Sequence, residues 1–111
     1  MTFLYLNSDK MGDGESDLGK KLLKSFLHEL AESETSIDMI GCVNSAIRLT
    51  TKGSDVIDIL QKFEDRGAKI ATCGNCLDHY GCRENLLIGA VGTMKMTVQI
   101  MKTADLVIRP N

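Results

Sequence analysis

The chain has 111 residues, of which 43% are hydrophobic and 25% are charged, and its formal net charge at pH 7 is -2. This composition is typical of a soluble globular protein, and the length predicts one domain that spans residues 1–111. The lysine and arginine residues are scattered, so the sequence predicts neither a nucleic-acid partner nor a membrane partner.

The beginning of the chain, taken in order, does not resemble an export signal. Residues 1–7 are too short for a signal peptide and lack its basic start. No apolar run approaches the roughly 18 residues of a membrane span. We therefore expect a cytoplasmic protein. In that reducing compartment, the four cysteines indicate chemistry or burial rather than disulfide bonds.

The first part of the chain predicts a strand, a helix and a second strand. Residues 3–6 form an apolar run that stops at a polar loop, as a buried strand does. The helix is indicated by an i,i+4 apolar ridge with a second apolar row, Leu23, Leu27 and Ala31, beside it. The ridge consists of Leu18, Leu22, Phe26 and Leu30. Residues 37–43 form the second apolar run.

The middle of the chain continues this alternation. Ser54 is the predicted N-cap of a helix whose apolar stripe lies within residues 56–63, and Gly67 is its stop signal. Residues 68–72 are predicted as a third strand, and residues 75–82 as a short helix.

The last part of the chain completes the predicted fold. It adds a weak strand at residues 86–91, which Gly89 interrupts, then a helix over residues 94–104 and a strand at residues 106–108. Apolar strands separated by amphipathic helices indicate a parallel sheet that is covered on both faces. The predicted class is α/β, a three-layer α/β/α domain with a mainly parallel five-stranded sheet.

Polar residues and a cysteine follow the predicted strands. Ser8 follows the first strand, Asn44 and Ser45 follow the second, and Cys73 follows the third. In a parallel sheet the carboxyl ends of the strands share one edge, and ligands bind there. Turns also favour small polar residues, so a purely structural role for Ser8 and Ser45 stays open.

The segment CGNCLDHYGC holds four soft metal-ligand residues at intervals of three: Cys73, Cys76, His79 and Cys82. On a helix each interval rotates the side chain by about -60°, so Cys82 would point away from Cys73. Structural zinc sites typically use two clusters separated by a loop, and the sequence has no second cluster. We predict no metal site within one chain, whereas a metal shared between subunits stays open.

Cys73 and Cys76 form a C-x-x-C pair at the predicted start of a helix. A helix N-terminus favours the thiolate form of a nearby cysteine, although a cysteine after a strand can also be a small buried residue. Cys42 is predicted to be core, and His79 and Cys82 are predicted to lie outside the site. A thioredoxin-like dithiol site is disfavoured because the pair follows the third strand rather than the first.

Four stretches of sequence cover nearly the whole chain: NSDKMGDGESDLGKKLLKSFLHEL, CVNSAIRLTTKGSDVIDILQKFEDRGAKI, ATCGNCLDHYG and TADLVIRP. In this order they resemble the DsrE/DsrF-like family of small sulfur-handling proteins. They are most similar to the C-terminal domain of YedF-type selenium metabolism proteins, which are described as sulfurtransferase-like. The stretch CGNCLDHYG is the most specific of the resemblances.

The resemblance implies a parallel α/β sheet and homo-oligomers, as dimers, trimers or hexamers. In the sulfur-relay members, a single cysteine after the third strand carries sulfur as a persulfide, and Cys73 has that position here. A cysteine matching Cys76 is often absent from the broader family but present in the YedF-type domain. YedF-type proteins usually carry an N-terminal TusA-like domain, which residues 1–111 do not contain, so a TusA-like partner acting in trans is expected.

We therefore predict that the protein is a sulfur-relay protein with Cys73 and Cys76 as its catalytic residues and with no cofactor. Cys73 would accept sulfane sulfur, or selenium, from a donor protein and pass it to an acceptor protein. Cys76 would resolve the persulfide as a Cys73–Cys76 disulfide or serve as a structural thiol.

Four further residues are predicted to bind the substrate. Gly74 lets the backbone approach closely, and the N–H groups of residues 74–76, with Asn75 among them, are expected to stabilise the anion. Ser8 and Asn44 are expected to line the pocket.

A competing hypothesis is a non-enzymatic binding or assembly subunit. Its cysteines would be structural or would bind a metal between subunits.

Overall fold

Five strands form one parallel sheet at the centre of the structure, a computed structural model that describes residues 1–111. They are β1 (Thr2–Leu6), β2 (Met39–Cys42), β3 (Lys69–Cys73), β4 (Ala90–Gly92) and β5 (Leu106–Ile108). Their order across the sheet is β4-β3-β2-β1-β5, and every pairing is parallel. The predicted α/β class with a parallel five-stranded sheet is confirmed.

Helices connect the strands and lie on both faces of the sheet. They are α1 (Ser16–Glu32), α2 (Ile57–Asp65), α3 (Gly74–His79) and α4 (Met94–Thr103), with short 3-10 helices at Asn44–Leu49 and Arg83–Asn85. The sequence does not predict the 3-10 helix at Asn44–Leu49, because its 6 residues are too few to show a period. No helix is both long and apolar enough to cross a membrane.

The main hydrophobic core lies between the sheet and helices α1 and α2. Side chains alternate along a strand, and on β1 the side chains of Leu4 and Leu6 point into this core. Helix α1 contributes the row Leu23, Leu27 and Ala31, all of which are buried. The predicted apolar ridge of α1 lies at the edge of the core rather than inside it. Its first two members, Leu18 and Leu22, are 54% and 45% exposed.

The opposite face of the sheet is covered by α4. Phe3 of β1 is buried there, and a Cβ atom on Gly41 would lie 2.9 Å from the Phe3 ring. No residue of α4 is fully buried, and Met94, Met96 and Val98 are each about half exposed. The sheet is therefore closely packed on one face and loosely covered on the other.

Several predicted boundaries differ from the structure, most of them by one or two residues and two of them, at α3 and β4, by more. Strand β2 begins at Met39 rather than at residue 37, and α3 ends at His79 rather than at residue 82. Strand β4 is confined to Ala90–Gly92, because Gly89 has a φ of +75° and the chain turns there. Periodicity alone does not resolve element ends in such short segments.

Of the two predicted boundary signals of α2, Gly67 ends the helix as predicted, whereas Ser54 does not cap its start. Gly67 has a φ of +103° and follows the last turn, so it ends the helix as predicted. The Ser54 hydroxyl accepts a hydrogen bond from the Val56 N–H at 3.2 Å, but the helix begins at Ile57. Ser54 therefore shapes the turn before α2 rather than capping its first turn.

Candidate functional site

Cys73 is the last residue of β3 and lies immediately before α3. It is 8% exposed and pairs with Gly92 at the carboxyl end of β4. Its side chain lines a narrow pocket of about 10 Å³ beneath α4, together with Thr93 and Met96. A pocket of that size holds about one atom as large as a water molecule.

Cys76 lies in the first turn of α3 and is less buried than Cys73. The backbone N–H of Asn44 donates a hydrogen bond to the Cys76 Sγ at 3.2 Å. Burial raises the pKa of the Cys76 thiol, the Asn44 N–H partly offsets that rise, and the neighbouring Cys73 thiol adds to it. Taken together, these effects favour the protonated thiol of Cys76 over its thiolate.

An open depression of about 250 Å³ lies beside Cys76. Its other lining residues are Asn44, Asn75, His79 and Tyr80. Two of the predicted substrate-binding residues, Asn44 and Asn75, thus lie together with Cys76. They do not line the narrow pocket beside Cys73, so the two thiols face different spaces.

Tyr80 lines this depression and Arg48 lies at its rim, and neither was predicted from the sequence as a site residue. The Tyr80 hydroxyl donates to the Asn44 side-chain oxygen at 3.5 Å. The Arg48 guanidinium lies over the Tyr80 ring, 5.4 Å from the ring centroid. The His79 ring packs edge-on against the same Tyr80 ring, with 5.3 Å between the two ring centroids. Tyr80 follows Cys76 by four residues, which could have placed both on one helix face. No sequence signal points to Arg48.

Gly74 and Arg83 hold α3 against the edge strand. A Cβ atom on Gly74 would lie 2.8 Å from Arg83 Nη2 and 2.9 Å from Val91 Cγ1, so the space beside this glycine is filled by those two side chains. Its role in substrate binding stays a prediction. Arg83 Nη2 donates to the Gly74 carbonyl at 3.3 Å, and Arg83 also pairs with Asp78 at 2.7 Å. The Cys73 side chain accepts no capping hydrogen bond from the first turn of α3.

Ser8 lies apart from both thiols. Its hydroxyl accepts hydrogen bonds from the Lys10 N–H at 3.1 Å and from the Ser45 hydroxyl at 3.5 Å. Ser45 in turn accepts from the Asp9 N–H at 3.2 Å. Ser8 lines neither the pocket beside Cys73 nor the depression beside Cys76, so its contacts organise the loop after β1.

The remaining cysteines do not join the pair. Cys42 is 1% exposed within the main core, as predicted, and Cys82 is half-buried just before the 3-10 helix at Arg83–Asn85. His79 is exposed at the end of α3. No group of three or more His, Cys, Asp or Glu side chains within the chain is arranged to hold a metal ion.

We expect Cys42 to resist alkylation in the folded protein. Burial raises the pKa of Cys42 to about 12, so the reactive thiolate is negligible at pH 8. Iodoacetamide labelling followed by peptide mass spectrometry is expected to modify Cys42 only after denaturation. Cys82, a half-buried thiol, serves as the internal comparison, and labelling of Cys42 as fast as Cys82 would contradict this prediction.

The chain is similar in structure to two solved proteins. The E. coli ychN protein is 18% identical with a TM-score of 0.71, over 98% of this chain and 99% of that one. MTH1491 of Methanobacterium thermoautotrophicum, a protein of unknown function, is 19% identical with a TM-score of 0.69, over 98% and 97%. No family model and no curated protein sequence matches the chain. The chain shares the α/β fold of these two proteins, and this likeness supports the DsrE-like fold that its motifs predict.

Proposed function

We propose that the protein is a sulfur-relay protein in which Cys73 carries sulfane sulfur, or selenium, as a persulfide. The observation that carries the proposal is the placement of Cys73. It lies at the carboxyl edge of a parallel sheet, next to a second thiol and facing a pocket with room for about one atom. Such a pocket suits a single transferred atom better than an organic substrate.

The proposed loading step is a thiol exchange at sulfur. The Cys73 thiolate attacks the outer sulfur of a donor persulfide, R–S–SH, and a bond forms between the two sulfur atoms. The donor S–S bond breaks, and the donor leaves as the thiolate R–S⁻. Cys73 then carries S–SH, and no external oxidant or reductant is consumed.

The proposed unloading step has the same form. A thiolate of an acceptor protein attacks the outer sulfur of the Cys73 persulfide, and Cys73 leaves as the thiolate. We assign donor and acceptor to protein partners, TusA-like proteins among them, that act on a homo-oligomer of this chain in the cytoplasm. A YedF-type role, in which selenium takes the place of sulfur, is the finer form of the same proposal.

Persulfide loading tests the proposal directly. A Cys76→Ser variant, which cannot close an internal disulfide, is incubated with a persulfide donor and then alkylated. Peptide mass spectrometry is expected to find one additional sulfur on Cys73, because that thiol remains at the end of β3. A Cys76→Ser/Cys82→Ser double variant is the matched control and is expected to load equally.

Two results would count against sulfur transfer. One is the absence of any additional sulfur on Cys73, and the other is loading of Cys82 in its place. Stoichiometric zinc or iron in the purified oligomer, together with absent loading, would favour an assembly subunit instead. The half-exposed apolar residues of α4 support that second candidate, since they suit a contact surface.

A further inference from the structure

Asn44 is the only residue other than glycine that has a positive φ, at 55°. L-residues rarely adopt this left-handed conformation, and asparagine tolerates it better than most. A strained residue of this kind persists only where the surrounding structure holds it, and such residues cluster at functional sites. The conformation of Asn44 therefore calls for a functional explanation.

At this left-handed residue the backbone N–H points at a thiol. Strand β2 ends at Cys42, and the Val43 N–H still bonds to the Leu6 carbonyl at 3.0 Å. Asn44 is the first residue whose N–H leaves the sheet, and it points to the Cys76 Sγ at 3.2 Å. The first backbone N–H beyond the strand, which has no partner in the sheet, therefore donates to Cys76, the more accessible of the two C-x-x-C thiols.

The side chain of Asn44 is also held in place. Its oxygen accepts the Tyr80 hydroxyl at 3.5 Å, and Arg48 lies over the Tyr80 ring. The titratable and charged groups around Cys76 are Cys73, His79, Tyr80 and Arg48. The Asn44 N–H donates a hydrogen bond to the Cys76 Sγ and lowers the pKa of that thiol, whereas the neighbouring Cys73 thiol raises it.

We infer that Asn44 directs its backbone N–H at Cys76 so that the Cys76 thiolate can discharge a persulfide on Cys73. The inference rests on the proposed sulfur-carrier role of Cys73. In this step the Cys76 thiolate attacks the Cys73 Sγ, and the Cys73–Cys76 disulfide bond forms. The bond from Cys73 to the outer sulfur breaks, and HS⁻ leaves. Cys76 is oxidised and the outer sulfur is reduced, so the electrons balance within the protein.

The step gives the two thiols different tasks. Cys73 receives sulfur in the narrow pocket, and Cys76 reacts only as its thiolate. A low-molecular-weight thiol would be needed to reopen the disulfide before another cycle. The Asn44 N–H therefore influences whether sulfur leaves as sulfide or waits for an acceptor protein.

Substitutions that change the backbone conformation of Asn44 test the inference. Asn44→Gly accepts a positive φ and keeps the N–H in place, whereas Asn44→Val strongly disfavours that φ. Cys73 is loaded with a persulfide donor, and sulfide release is followed in a single turnover. We expect sulfide release, counted per loaded Cys73, to be about three- to tenfold slower in Asn44→Val than in Asn44→Gly, since both variants lose the same side-chain amide and only the valine variant disfavours the positive φ.

A second measurement does not depend on loading. The pH midpoint of Cys76 alkylation, mapped by mass spectrometry, is expected to rise by about one unit in Asn44→Val and to remain near the wild-type value in Asn44→Gly. Circular dichroism verifies that both variants are folded, which the exposed position of Asn44 favours.

The outcomes separate the two proposals. Normal loading with equal sulfide release and equal alkylation midpoints in all three proteins would overturn the inference and leave the carrier role intact. If Cys73 acquires no additional sulfur in either the wild type or Cys76→Ser, the proposed carrier role of Cys73 is wrong. The discharge step, which depends on that role, is then wrong as well. The alkylation midpoints would then still decide whether Asn44 controls the Cys76 thiolate.

Discussion

Replacing Cys73 with serine is expected to slow sulfur transfer to an acceptor thiol by at least about a hundredfold, since a serine hydroxyl cannot accept sulfane sulfur. The substitution is nearly isosteric, so little packing is lost, and it breaks no capping hydrogen bond to α3. Transfer is measured with a persulfide donor and a thiol acceptor, as the rate of acceptor persulfide formation.

Two matched variants make the result specific. Cys82→Ser removes a half-buried thiol from the neighbouring turn and is expected to transfer at the wild-type rate. Cys76→Ser is expected to keep transfer to an external acceptor while losing the internal disulfide. If Cys73→Ser transferred within about tenfold of the wild type while the Cys76→Ser variant were inactive, the assignment of the carrier to Cys73 would be wrong.

Replacing Gly89 with alanine is expected to lower the free energy of unfolding by about 3 kcal/mol. Gly89 has a φ of +75°, which costs an L-residue about 1–2 kcal/mol. An added Cβ would also collide with the Ile70 carbonyl oxygen and lie 2.8 Å from the Ile70 Cβ. Because Ile70 is a core residue of β3, relief of the collision would displace either β3 or the start of β4.

Gly81→Ala is the matched control for Gly89→Ala. Gly81 also has a positive φ, +64°, but no heavy atom lies within 4 Å of its would-be Cβ. Gly81→Ala is expected to lower the free energy of unfolding by only about 1 kcal/mol, the cost of the positive φ without a steric collision. Urea denaturation followed by circular dichroism measures both variants. Equal losses in the two variants would show that the contact with Ile70 does not limit stability.

The position of Gly89 links stability to the candidate site. It leads directly into β4, whose Gly92 pairs with Cys73 and whose Val91 contacts the backbone at Gly74. A displaced β4 would therefore open the pocket beside Cys73 as well as weaken the sheet. Persulfide loading of Gly89→Ala would report that change if the variant stays folded.

The fold is the part of this protein that local sequence patterns determine well. Short apolar runs such as residues 3–6 alternate with amphipathic segments such as α1, and that alternation is compatible with a parallel sheet. Burial of Cys42 follows from the same pattern, because it lies inside a run that must be core. The strands, the helices and the burial of Cys42 all follow from the spacing of apolar residues along the chain, which can be read from the sequence.

Element ends and face assignments were predicted less accurately. Residues 86–91 are apolar enough to suggest a strand, yet only Ala90–Gly92 join the parallel sheet, because the chain turns at Gly89, which lies against Ile70. Leu18 and Leu22 have helical spacing but remain half exposed, because the sheet is reached by the neighbouring row. Packing partners distant in sequence decide both features.

At the candidate site, the sequence alone predicted a cysteine at the carboxyl end of the third strand, although Cys73 is the last residue of that strand rather than the first one after it. It also showed that Cys76 lies three residues later. Long-range packing set the different spaces that the two thiols face and kept Ser8 out of both. It also brought Asn44 and Tyr80 to Cys76 and set the left-handed backbone of Asn44. The physical reason is that the order of strands and the paths of loops bring distant residues into contact, and neither leaves a periodic signal in the chain.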